Sequence, residues 1–156
     1  MSGRAVPFPP EVHAARRRAL LDRLGDDAVA VVPAGDLVYR NRDVAFDFRP
    51  DGDFLYLTGF GEPGAVAVVT PLHPEHRFVL FVPPRDPDRE RWDGPRAGVE
   101  GAVERFGADA AFPLAELAQR LPGYLEGARR LVAPFGRRPE LDRALAGWLG
   151  AFGPHP

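Results

Sequence analysis

The sequence predicts an α/β fold, a three-layer α/β/α domain built on a mixed β-sheet. Three observations carry that prediction. Short apolar runs at Ala28–Pro33, Ala65–Thr70 and Phe78–Val82 lack polar alternation, as strands covered on both faces do. Stretches with apolar residues at helical spacing lie before, between and after them. One pair of runs, Phe54–Thr58 and Ala65–Thr70, is separated only by Gly59, Gly61, Pro63 and Gly64, which reads as strand, tight connection and strand, so the sheet is mixed.

In chain order, Pro9-Pro10-Glu11 opens a first helix, with proline in the first turn and an acid at the positive end of the dipole, and Gly25 closes it. Leu20, Leu21 and Leu24 form its apolar stripe, and Arg16, Arg17, Arg18, Asp22 and Arg23 are expected to face solvent. Ala28–Pro33 is a buried strand. Leu37–Asp47 carries polar residues without periodicity and reads as a loop, the kind of segment where function concentrates. The two runs of the predicted hairpin follow, then the connection Pro71–His76 and the strand Phe78–Val82.

Asp86-Pro87 is a helix start, with Asp86 as N-cap, and Gly94-Pro95 stops that helix after two turns with Trp92 near its end. Ala97–Phe106 makes a helix closed by Gly107, and Pro113–Leu121 makes another, burying Leu114, Leu117 and Leu121. Arg130–Phe135 is a last strand. After Pro139, Leu141, Leu145, Trp148 and Phe152 recur at helical spacing and end the domain as an amphipathic helix.

Composition narrows the function classes. A chain of 156 residues is one domain by length and buries enough surface for its own core. Every basic residue is arginine, yet acidic residues offset them to a net charge of −2, and no basic stripe with interleaved aromatics appears, so a nucleic-acid partner is not expected. The absence of cysteine excludes disulfides and thiolate metal sites. Met1–Pro10 holds no apolar core of signal-peptide length and no 18 apolar residues run together, so the expectation is a cytoplasmic protein without a membrane partner.

Two motifs invite chemistry and are declined. Gly59-Phe60-Gly61-Glu62-Pro63-Gly64 spells G-x-G-x-x-G, but that fingerprint works only where the last glycine opens a helix, and Ala65–Val69 favours a strand. His73 and His76 sit three apart, but Pro71 and Pro74 disfavour a helix there and a transition-metal site needs three or more converging ligands. They read as a surface loop. His13 and His155 are assigned no role.

The central stretch carries a resemblance. Phe48-Arg49-Pro50-x-Gly52-Asp53-Phe54-Leu55-Tyr56-Leu57-Thr58-Gly59-Phe60-x-Glu62-Pro63 resembles the signature of the N-terminal domain of Xaa-Pro aminopeptidases (aminopeptidase P). Arg16–Leu20, Arg85-Asp86 ahead of a helix with Trp92, and Phe106-Gly107-Ala108-Asp109 extend it. Gly52 departs from the serine or asparagine common at that place. The resemblance implies a creatinase-like N-terminal domain over residues 1–152, with 153–156 starting a linker to an absent C-terminal catalytic domain. It also implies a parent that removes the N-terminal residue preceding proline, using two divalent metals, manganese, held by that absent domain, in a homo-oligomeric dimer or tetramer.

No catalytic or metal-binding residue carries over to this chain, which is expected to hydrolyse nothing alone. Two residues match family positions near the substrate cleft. Trp92 aligns with a tryptophan lining the substrate pocket, and Asp43 with an acid on a loop reaching a neighbouring subunit's active site. Arg49, Asp53 and Glu62 are expected to be structural, Asp53 accepting turn amides and the other two pairing with charges at a rim. Any part of Trp148 and Phe152 not used in the core would face the missing domain. Two other readings stay open: the equivalent domain of a prolidase or creatinase relative, and a stand-alone non-catalytic assembly module.

Overall fold

The computed structural model describes residues 8–34, 39–41, 44–45, 52–62, 64–93, 96–135 and 138–152. In its main sheet β1 (Ala28–Pro33) pairs antiparallel with the central strand β4 (Val66–Val69) and parallel with β7 (Arg130–Val132). β4 pairs antiparallel with β5 (Phe78–Val82), and β5 parallel with β6 (Ala110–Pro113), giving the order β6-β5-β4-β1-β7. The sheet is mixed, as expected. β2 (Tyr39–Asn41) and β3 (Val44–Ala45) form a separate two-stranded ladder inside the stretch expected to be loop.

Period-two alternation divides the strands between two cores. Ala28, Ala30, Val32, Ala67, Val69, Phe78, Leu80 and Val82 face one side, and Val29, Val31, Val66, Val68, Val79 and Phe81 the other. The first side is covered by α1 (Pro10–Leu24), α2 (Gly52–Thr58) and α4 (Gly98–Phe106), and the second by α5 (Leu117–Tyr124), after a 3-10 turn at Leu114–Glu116, and α6 (Pro139–Phe152). Three layers result because every described strand position from β1, β4 and β5 is buried. Trp148 is half-buried against the second core.

Phe54–Thr58 is helix and not strand. Phe54, Leu57 and Thr58 turn inward, while Leu55 and Tyr56 are 39% and 55% exposed, a 3.6-residue period hidden by the apolar character of the exposed pair. The Thr58 hydroxyl donates to the Phe54 carbonyl and accepts the Phe60 amide, and Gly59, at φ +70°, takes the left-handed conformation that ends the helix. The hairpin is therefore β4-β5, across residues 70–77. The last glycine of the motif leads into β4, so it opens a strand and not the helix that a dinucleotide-binding turn requires.

The arginine face of α1 also differs from expectation. His13 and Arg17 are each only 8% exposed, continuing the stripe of Leu20 and Leu24 toward the helix start. They are buried because α2 ends beneath them. Arg17 donates to the Leu57 carbonyl at 2.8 Å, Arg16 to Tyr56 at 3.1 Å, and His13 Nδ1 lies 2.9 Å from the Tyr56 carbonyl. Polar and cationic groups from one helix thus serve the orphan carbonyls at the negative end of another. The Arg17 guanidinium also lies 3.9 Å from the Phe78 ring centre. Burial lowers its pKa to about 10, against the pull of Asp109, so it stays charged at neutral pH.

Candidate functional site

Trp92, the main site residue read from the sequence, sits on α3 (Pro87–Asp93) between β5 and α4. Asp86 caps this helix through its Oδ1 to the Asp88 amide, as Asp-Pro predicts. Trp92 is 88% exposed, so its indole contributes almost nothing to this domain's core. Among the described side chains of α3, Pro87, Asp88, Arg91 and Trp92 are exposed and only Glu90 turns inward.

Glu90 joins both ends of the α3 loop. Its carboxylate accepts the Asp86 amide at 2.9 Å, the Arg96 amide at 3.1 Å, and the Arg85 guanidinium through Nη2 at 2.9 Å and Nε at 3.3 Å. Arg96 Nη1 reaches back to the Pro84 carbonyl. The next amide, Ala97, donates to Glu62 Oε2 at 2.8 Å, while Glu62 Oε1 is buried with no partner among the described residues. Gly98 follows at φ +68°, where an added Cβ would stand 2.8 Å from Arg85 Cγ, so the turn needs glycine for both conformation and space.

The two carboxylates are tuned in opposite directions. Hydrogen bonds from Arg85 and then from the Arg96 amide hold Glu90 down at about 2, whereas burial pushes Glu62 up against the opposing Ala97 amide. Because Glu90's folded pKa is depressed, its contribution is present above its ordinary 4.5 and lost as pH falls toward 2. Because Glu62's is raised, its contribution is present below 4.5 and lost as pH rises through the folded value. The melting-temperature difference between Glu90→Gln and parent therefore grows more negative from pH 2 to 4.5, and that for Glu62→Gln shifts positive above 4.5. Melting curves across this range check both signs; parallel slopes would refute the assignment.

The remaining sequence candidates separate from this loop. Asp43 and Arg49 lie outside the described residues. Asp53 is exposed in the first turn of α2. Glu62 was expected to pair with a charge at a rim, and its bond is instead to the Ala97 backbone amide. His73 Nδ1 accepts the amides of Glu75 and His76, its ring stacks on His76 at 4.4 Å, and His76 Nδ1 is 2.9 Å from the Tyr124 hydroxyl. Those bonds tie the residue 71–76 loop to α5.

Asp109 accepts the amides of Arg77 and Phe78, joining the start of β5 to β6. An open cleft of about 560 Å³ lies away from Trp92, between α1, α2 and β7, with Arg16, Arg23, Asp53 and Tyr56 among its walls. Among the described residues no three His, Asp or Glu side chains converge to hold a metal ion, and no helix is long and apolar enough to cross a membrane.

The family model "Aminopeptidase P, N-terminal domain" matches residues 13–133, from the buried His13 to the end of β7. The chain belongs to this family. Among curated relatives, the Xaa-Pro aminopeptidase 3 of Mus musculus is 39% identical over 133 residues, covering 77% of this chain and 26% of the relative. The Xaa-Pro aminopeptidase of Escherichia coli K12 is 37% identical over 113 residues, covering 72% and 26%. The structure of Pseudomonas aeruginosa aminopeptidase PepP superposes with a TM-score of 0.85 at 42% identity, covering 94% of this chain and 33% of that one.

This chain thus spans about a quarter of the length of these curated relatives and a third of the solved chain. It is an aminopeptidase P N-terminal domain with the expected mixed-sheet fold. Two of its fold determinants escaped sequence reasoning, His13 and Arg17, although their i, i+4 spacing ahead of Leu20 and Leu24 carried the signal.

Proposed function

We propose that this domain is the non-catalytic N-terminal part of an Xaa-Pro aminopeptidase, an enzyme removing the residue that precedes proline at a peptide's N-terminus. Its work is to shape the substrate cleft. The observation supporting this is Trp92, a large aromatic held 88% exposed on a braced helix, in a family whose members are several times longer than this chain. The flat apolar face of an indole suits a proline ring.

In this reading the two divalent metals, manganese, and their carboxylate and histidine ligands belong to the C-terminal catalytic part, and no step of the hydrolysis is assigned to residues here. Asp43 serves at a neighbouring subunit's cleft in a dimeric or tetrameric parent working in the cytoplasm.

Trp92→Ala in the full-length enzyme tests the cleft role. Melting temperature is expected to change little, since an exposed side chain is worth within about 0.5 kcal/mol, while the KM for Xaa-Pro peptides rises. Destabilisation by about 3–5 kcal/mol, the cost of truncating a buried tryptophan, would refute this placement. The chain alone with manganese is expected to release no amino acid from such peptides, and turnover that stays with the chain through purification would overturn the non-catalytic reading.

A further inference from the structure

We propose that Glu90 is a positioning residue for the substrate cleft, fixing the direction of Trp92 by tying both ends of the α3 loop to one carboxylate. The inference rests on the cleft role proposed for Trp92. Glu90 is the only described α3 side chain that turns inward, and it accepts bonds from residues flanking the helix on each side, Asp86 before it and Arg96 after it. Arg85 closes the same carboxylate from a third direction. Polar bonds to a single ionised group, and not apolar packing by its described side chains, therefore hold α3. Bonds to a charged acceptor are strong and directional, so they set an orientation as well as a distance.

Trp92 lies two residues beyond Glu90 on the helix, roughly 200° around its axis, so the residue that turns inward fixes where the indole points. A neutral amide in place of the carboxylate keeps the size but loses the charge and one acceptor oxygen. The helix then swings on its two ends.

The test begins with Glu90→Gln in this chain in a Trp148→Phe background, which leaves Trp92 as the sole tryptophan. Its fluorescence anisotropy is expected to fall, and hydrogen exchange at the Asp86 and Arg96 amides to quicken about tenfold. The Ala97 amide, bonded to Glu62, serves as the internal reference. Far-UV circular dichroism checks the fold, and Arg85→Met supplies a milder variant, with a smaller anisotropy loss, should Glu90→Gln unfold. Unchanged anisotropy and exchange in both variants would overturn the proposal.

In the full-length enzyme Glu90→Gln is expected to raise KM about tenfold with kcat nearly unchanged, in the same direction as the KM rise expected of Trp92→Ala. A loosened helix with parental KM, while Trp92→Ala raises KM, would refute Glu90's role and leave the cleft reading standing. Parental KM in both variants would instead remove the cleft reading, and the proposal with it.

Discussion

Phe60→Ala is expected to lower the stability of this domain by about 3–5 kcal/mol, a large share of the roughly 5–15 kcal/mol typical of a single domain. Phe60 is fully buried, its ring edge-on to Phe54 at 6.3 Å and to Phe106 at 4.9 Å. It joins the end of α2 to the end of α4 over the β-sheet. Alanine leaves a cavity between elements fixed by strand pairing on one side and by the Arg17 bond to Leu57 on the other. The site therefore collapses poorly, which puts the cost toward the upper part of the range. Urea unfolding with an unchanged slope measures it, and Leu55→Ala, at an exposed position of the same helix, is the matched control. A loss under about 1 kcal/mol would show that Phe60 is not a keystone of this core.

Gly59→Ala, one residue earlier, is expected to cost about 2–4 kcal/mol by another route. At φ +70° any residue with a Cβ is strained by about 1–2 kcal/mol. Here the added methyl would also stand 2.7 Å from His13 Nε2 and 2.8 Å from Cδ2, forcing the imidazole away from the Tyr56 carbonyl. The two contributions separate in a double-mutant cycle. In a His13→Ala background the clash disappears and only the left-handed penalty remains, so Gly59→Ala should then cost about 1–2 kcal/mol. Equal costs in both backgrounds would mean that His13 does not press on Gly59.

These effects explain why the signature was legible before its structure was. Thr58-Gly59-Phe60 is a helix stop written in side chains: a hydroxyl that serves a carbonyl and an amide, a glycine for the left-handed turn, and an aromatic that drops into the core. Phe106-Gly107-Ala108-Asp109 repeats the logic at the end of α4, with Gly107 at φ +76° and Asp109 bonding to the start of β5. Both motifs were recognisable as motifs. Only the first was misread locally, because four apolar or aromatic residues in a row, Phe54–Leu57, fit a strand as well as one face of a short helix.

The described part of the candidate site was half legible. Asp86-Pro87 announced α3 and Trp92 stood out as a large aromatic near its end. Glu90 did not stand out, since its four donors come from three residues whose convergence depends on how the loop closes. The opposed tuning of Glu90 and Glu62 was likewise invisible, because it depends on which carboxylate receives an arginine and which is desolvated by burial.

By itself the sequence determined the layered α/β class, the buried strands β1, β4 and β5, the caps of α3 and α4, and the family, because apolar period and turn chemistry are local properties written in neighbouring residues. The tertiary structure alone decided that Phe54–Thr58 is a helix, that His13 and Arg17 are interior, and that one carboxylate, Glu90, bonds both ends of the α3 loop. Each of these depends on a carbonyl or amide end meeting a charged or polar side chain brought from elsewhere in the chain, and no local pattern records that meeting.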